Sequence, residues 1–373
     1  GASLTFDGPA VATLAFLGSC ATHAPTHKPV RPPAEVRAQI VQLLPATATD
    51  RREWAIDITA AFAALDVEPT TRNLCATLAV IAQESTFVVS PVIPNLGKIA
   101  RAEIDRRAEQ HHVPQLIVRG ALALKSPNGK RYGERIAAAR TERELSAIYV
   151  DFIGSVPLGK RLFADANPVH TAGPMQVSVA FAEQQARDRP YPYPIVSSIR
   201  HETFTRRGSV YFGIAHLLGY PTSYDRMIYR FADYNAGFYA SRNAAFQNAV
   251  SRASGIPLAL DGDLIRHDSA QIGSTEIAMR SLARQLGVSD AQIHRAIEQG
   301  ESFEFEQTPV YKSVFALAAQ MEHRPLPHAI VPQITLKSPK ITRKLTTEWY
   351  ANRINQRYRS CLATTSANAR PRQ

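Results

Sequence analysis

Apolar residues in this chain recur at three- and four-residue spacing along most of its length, while the strict alternation that a half-buried strand needs is scarce. In 52–67, "REWAIDITAAFAALDV", the apolar groups follow that helical period, and Pro69 with Thr70 and Thr71 then supplies a stop and a new N-cap. In 72–85, "RNLCATLAVIAQES", Leu74, Leu78 and Ile81 share a stripe with Cys75 and Ala82 beside it. That pattern predicts a core-facing helix whose last turn holds a carboxylate, Glu84. The period continues through 208–221, 223–246 and the segments beyond 255, so the fold class expected is all-α, mainly helical. A chain of 373 residues with 45% hydrophobic content is long enough for a substantial core, in one large domain or two smaller ones.

The stretch from about 90 to 166 has helical segments of its own, including "KIARAEIDRRAEQHH" and a capping box from Thr141 to Glu144 ahead of "LSAIYVDFIG". Turn residues in "SPNGK" separate them. No internal repeat is present.

The two ends differ from the body. Residues 10–19, "AVATLAFLGS", form a short apolar run ending at Cys20, and no later segment is long and apolar enough to span a bilayer. The run reads as an export signal, 1–19, and "LGSC" resembles a bacterial lipobox in which the cysteine is lipidated. The chain begins at Gly1 without Met, and no Lys or Arg precedes the run, which reads as a truncated start. The proline-rich 20–36 reads as a tether. A lipidated Cys20, followed by Ala21 rather than Asp, implies an outer-membrane lipoprotein facing the periplasm. Cys75 and Cys361 are then the remaining thiols in an oxidising compartment, and the sequence leaves open whether they pair. Net charge is +11, and 337–373 carries nine Lys or Arg against the single acid Glu348. Such a basic extension, set apart here as 326–373, suggests an anionic partner or a solvated tail.

Three short motifs lie next to the helical segments in order: "QES" at 83–85, "AGPMQV" at 172–177 and "DYNAG" at 233–237. Together they resemble the signature of the soluble lytic transglycosylases, bacterial enzymes on a goose-type lysozyme-like fold that cleave peptidoglycan glycan strands. Glu84-Ser85 is intact; Pro174 stands where that family has Leu, and Asp233 where it has Ala. "GSVYFGIAHLL" looks like the helix preceding the family's Tyr-Asn motif, and "FEQTPVYKSVF" (305–315) is similar to its later Glu-Thr-x-x-Tyr-Val element, with Tyr311 at the Tyr position. The resemblance implies a lysozyme-like domain over 37–325, with 90–166 as a helical insertion that forms a lobe beside the cleft. As a whole the chain also resembles an uncharacterised group of proteobacterial lipoproteins.

The chemistry fits the residue types. A glycosidic oxygen must be protonated to leave, and a carboxylic acid stays protonated near neutral pH when burial disfavours its charge. The resemblance implies that Glu84 is that acid and, once deprotonated, the base that takes the sugar's C6 hydroxyl proton and closes a 1,6-anhydro ring. It implies that Ser85 orients Glu84, that Met175, Gln176, Tyr234 and Asn235 form the subsite for the N-acetyl sugar, and that Tyr311 closes the cleft beside Glu84. No cofactor or metal is expected. The partners expected are peptidoglycan strands, a membrane through the lipid anchor, and a protein partner through the insertion, with no nucleic acid.

Two other functions compete: a cell-wall-binding lipoprotein without turnover, and a hydrolytic muramidase in which Asp233 activates water. Asp233 is expected on the outer helix face as a solvated acid, and Pro174 is expected to reshape the sugar subsite by removing a backbone donor. His111-His112 lacks the companions of a metal site and reads as surface. "DGDLIRHD" (261–268) lacks the spacing of a calcium loop and reads as a turn.

Overall fold

The computed structural model describes residues 30–155, 167–266, 270–336 and 345–369. The signal-like segment, the lipidation site Cys20 and most of the tether lie outside the described residues.

The expected all-α class holds: among the described residues the only sheet is one short hairpin. Helices α1 (Pro33–Leu43), α2 (Arg51–Ala64) and α3 (Thr71–Ser85) open the chain. The segment after them holds α4 (Leu96–Gln110), α5 (Gln115–Leu122), α6 (Tyr132–Ala138) and α7 (Glu142–Ser155). Strands β1 (Thr171–Ala172) and β2 (Val177–Ser178) pair antiparallel, Ala172 opposite Val177. Then come α8 (Val179–Asp188), α9 (Ile199–Phe204), α10 (Arg206–Leu218), α11 (Ile228–Ala236) and α12 (Ala240–Ser254). The last group is α13 (Ser274–Ser281), α14 (Ala283–Leu286), α15 (Asp290–Ile297), α16 (Pro309–Glu322) and α17 (Thr347–Ala369).

Three apolar clusters organise these elements. The largest joins α1, α2, α3, α10, α11 and α17; a second joins α12 to α16; a third joins α4, α6 and α7 to Val169, Ala172 and Phe204 near the hairpin. Local chemistry starts the helices: the Thr70 hydroxyl accepts from Asn73 N and caps α3 where the sequence suggests, and a Ser289–Gln292 capping box starts α15.

The C-terminal segment is the main departure from expectation. Residues 345–369 are not a solvated extension. α17 packs against α3 and α11 and buries Tyr350, Ala351, Ile354 and Tyr358 in the largest cluster. Its charges stand on the other side of a helix whose apolar stripe belongs to the core. A disulfide, Cys75–Cys361, ties α17 to α3 with a Cα–Cα distance of 5.6 Å and closes a loop of 286 residues.

Candidate active site

Glu84 sits in the last turn of α3 because the helix is stopped directly after it. Thr86 and Phe87 both adopt left-handed backbone, φ 50° and 64°, which breaks the helix and turns the Phe87 ring into the core edge-on against Trp54. Leu74, Leu78 and Ile81 anchor the rest of α3, leaving Gln83 and Glu84 at the edge of a cleft of about 800 Å³. The cleft runs between the large cluster and the third cluster. α4 and α7 contribute Glu103, Arg107 and Glu142 to its lining, so part of the sequence between 90 and 155 forms one wall.

The residue that holds Glu84 is Tyr350, from the first turn of α17. Its buried phenol donates to Glu84 Oε1. Burial, the Glu84 carboxylate and Tyr234 all push the Tyr350 phenol far above its ordinary value, so it remains a donor. Tyr234 is likewise pushed up, by burial and by Glu84, and its hydroxyl donates to the Met175 carbonyl at 2.5 Å. Helices α3 and α17 are antiparallel neighbours: Glu84 lies toward the end of α3 and Tyr350 near the start of α17, while Cys75 and Cys361 join them further along.

The 173–176 motif is the turn of the β1–β2 hairpin. Gln176 N donates to Gly173 O at 2.9 Å, which makes Pro174 the second residue of a four-residue turn, a position where Pro is favoured and no backbone donor is used. The expectation that Pro174 reshapes the subsite by a lost donor is therefore corrected. Gly173 has φ 74°, and a Cβ there would stand 2.3 Å from the Thr203 carbonyl oxygen, so only glycine fits.

The motif residues divide into those that reach the cleft and those that do not. Glu84, Gln176, Tyr234 and Asn235 line it. Gln176 is fixed there by its Nε2 donating to Gly173 O and its Oε1 accepting from the Thr171 hydroxyl. Met175 is corrected: its side chain is fully buried against Gly213, and its main-chain carbonyl carries its link to the site. Ser85 is corrected too, because its hydroxyl donates to Ile81 O one turn back in α3 and not to Glu84. Tyr311 lies in the second cluster, stacked on Phe246 and bonded to His328, and does not line the cleft. Tyr350 holds the place beside Glu84 that Tyr311 was expected to hold.

Asp233 is neither a solvated acid nor a cleft residue. It is 1% exposed. Its Oδ2 accepts from the Tyr220 and Tyr224 hydroxyls and from Tyr239 N, and its Oδ1 accepts from Ser241 N, so it caps the start of α12. Burial raises its carboxyl to about 6 against the pull of these donors. The whole 233–237 motif is a joint between elements. Asp233 holds α12, Tyr234 holds the hairpin, Asn235 Oδ1 accepts from the Thr347 hydroxyl at the start of α17, and Gly237 ends α11 at φ 112°.

On the opposite wall Arg107 bonds Glu103 and donates to His170 Nε2 at 2.9 Å. The Arg106 and Arg107 guanidiniums hold Glu103 at about 2, so it stays ionised. Partial burial with Arg107 and Arg200 lowers His170 and favours the neutral ring that accepts from Arg107. Behind the site, burial lowers His216 to about 4 while its Nε2 meets Tyr234 O. The sequence contained a signal for Tyr350 that the charge count concealed: Tyr350, Ile354 and Tyr358 recur at helical spacing inside the basic segment.

The model of a family described as a protein of unknown function, DUF1615, matches residues 47–364, and the chain belongs to that family. The matched span includes α17 through the disulfide. The chain is 51% identical over 347 residues to a protein of Escherichia coli K12 described as uncharacterized protein YaiW, covering 93% of this chain and 95% of the relative. The resemblance to an uncharacterised proteobacterial group is thus established. No solved structure matches the chain.

Proposed function

We propose that this protein is a peptidoglycan lytic transglycosylase on a lysozyme-like helical fold, cleaving the β-1,4 bond between N-acetylmuramic acid and N-acetylglucosamine. The observation that carries this reading is Glu84 itself: a carboxylate at the end of a core helix, open to a cleft and oriented by a buried phenol. A glycan-binding surface needs neither feature, whereas a group that must deliver a proton along one line needs both.

Glu84, held by the Tyr350 phenol, would carry the proton to the glycosidic oxygen. As the C1–O bond breaks, the substrate's own N-acetyl carbonyl would stabilise the positive charge developing at C1, as in substrate-assisted glycosidases. Glu84, now ionised, would take the proton from the C6 hydroxyl while O6 bonds to C1. The acid is regenerated, no water is consumed, and the product ends in a 1,6-anhydro ring. Gln176, Tyr234 and Asn235 would contact the sugar, while Arg107 and His170 face the same space. No cofactor enters these steps.

The muramidase alternative loses its residue, because Asp233 is buried under α12 with both oxygens occupied. The "LGSC" sequence supports the remaining part of the reading, that Cys20 carries lipid and holds the enzyme on the periplasmic face of the outer membrane. Release of soluble fragments from dye-labelled sacculi tests the activity. Wild type should release dye, and Glu84→Gln, which keeps the shape but cannot cycle a proton, should release none. Sacculus binding without release by either protein would favour the non-catalytic cell-wall-binding lipoprotein.

A further inference from the structure

The lobe formed by α4 to α7 carries an apolar surface that the cleft does not use. α5 anchors itself through buried Val118 and packs against α4 and α6. Its other side leaves Leu116 75% and Ile117 60% exposed, with Val113 before the helix and Leu124 just after it also exposed. Single exposed hydrophobics are ordinary, but four this close in sequence, centred on one short helix, form a patch. None of them lines the cleft.

Charge is the second observation. From 111 to 131 the chain has Arg119, Lys125, Lys130 and Arg131 and no Asp or Glu at all. All four cations are exposed, as are His111 and His112. The surrounding helices mix both signs, so the acid-free stretch coincides with the apolar patch and is not a general property of the lobe.

We propose that α5 and its flanks dock this lobe on an anionic phospholipid surface. Leu116, Ile117, Val113 and Leu124 would enter the boundary between headgroups and acyl chains, and the cations would sit on the phosphates. A bilayer presents these two chemistries in that order, an anionic layer over an apolar one. No helix among the described residues is long and apolar enough to cross a membrane, so the contact is peripheral. It does not depend on the glycan-cleaving reading or on the lipid anchor.

The test is co-sedimentation of the full chain, made with Cys20→Ser so that no acyl chain contributes, with vesicles of phosphatidylglycerol and phosphatidylethanolamine or of phosphatidylcholine alone. Binding is expected to the anionic vesicles and to weaken with salt. The variant Leu116→Ser/Ile117→Ser should lose roughly tenfold or more in vesicle affinity, because two partly inserted side chains no longer leave water. Arg119→Gln/Lys125→Gln/Lys130→Gln should lose affinity at low salt and little at high salt. All these side chains are exposed, so circular dichroism and melting should be unchanged. Failure of the Cys20→Ser protein to bind anionic vesicles at low salt overturns the proposal. So does undiminished binding by the double serine variant, which would leave the patch as a protein-docking surface.

Discussion

Removing the Cys75–Cys361 bond should release the Glu84–Tyr350 contact before it unfolds the protein. The bond closes a loop of 286 residues. The chain-entropy relation gives a ceiling of roughly 5–6 kcal/mol at 25 °C for a loop of that length, and bonds in real proteins deliver about 2–5 kcal/mol. Cys75→Ala/Cys361→Ala should therefore lower the unfolding free energy by about 2–5 kcal/mol, with up to about 1 kcal/mol more for the lost packing of sulfur. The effect should be concentrated on α17. Glu84 lies about 14 Å along α3 from Cys75, and Tyr350 about 16 Å along α17 from Cys361, at 1.5 Å per residue. The Tyr350–Glu84 hydrogen bond is thus at the unlinked end of an antiparallel pair. Urea titration followed by tryptophan fluorescence reads both processes, since Trp54 is in α2 and Trp349 is in α17. The variant should show an early Trp349 transition. A loss below about 0.5 kcal/mol with a single unchanged transition would refute the view that the bond holds α17 in place.

Tyr350→Phe keeps the ring in the core but removes the donor to Glu84, so glycan cleavage should fall roughly ten- to a hundredfold, the worth of one charge-assisted hydrogen bond, while sacculus binding stays near wild type. Tyr311→Phe should leave cleavage almost unchanged, and a comparable loss there would restore Tyr311 to the site. Asp233→Asn should retain activity per folded molecule but lose about 1–3 kcal/mol of stability, because one amide oxygen cannot accept from four donors; selective loss of activity with stability intact would return Asp233 to the chemistry. The pH dependence of stability separates two buried groups. His216 titrates near 6.5 when unfolded and about 4 when folded, so as pH falls from 6.5 to 4 the unfolded chain takes up the proton first, and up to roughly 3 kcal/mol of stability is lost. Asp233 has the opposite sign: its carboxyl is raised to about 6 by folding, so its contribution is present below about 4 and is lost as pH rises through 6. The two oppose each other between pH 4 and 6. His216→Phe should therefore make stability fall more steeply with rising pH than in wild type, and Asp233→Asn should make it rise more steeply. Equal slopes in all three proteins, measured by urea midpoints, would show that neither group is held as described.

Helix content, the break between α2 and α3 at Pro69 to Thr71 and the position of Glu84 in the last turn of α3 are legible because they depend on local periodicity and on a stop and cap within a few residues. The hairpin turn at Gly173 to Gln176 was legible as a motif, but its turn geometry was not, and so Pro174 was expected to disturb a position that favours it. The sequence misleads at Asp233 because a lone carboxylate on a helix says nothing of distant donors. Tyr220, Tyr224 and the start of α12 become its partners only after α11 and α12 fold against each other. Tyr350 was hidden for a similar reason. Net charge marked 337–373 as a tail, while the apolar stripe of α17 needed the α3 surface and the Cys361 partner before it could be read as core. Motif similarity points Tyr311 to the cleft, whereas the second cluster accounts for it as packing.

The most direct test of the central claim is the chemistry of the product ends. Purified wild type and Glu84→Gln are incubated with intact sacculi, and the released muropeptides are identified by mass spectrometry before and after borohydride treatment. Cleavage by Glu84 acting as acid and then base should give 1,6-anhydro-muramoyl ends that lack a reducing terminus and do not change mass with borohydride, and Glu84→Gln should give none. Wild-type products with reducible muramic acid ends would mean that water, not the C6 hydroxyl, attacks C1, and release of the same products by Glu84→Gln would remove Glu84 from the reaction altogether.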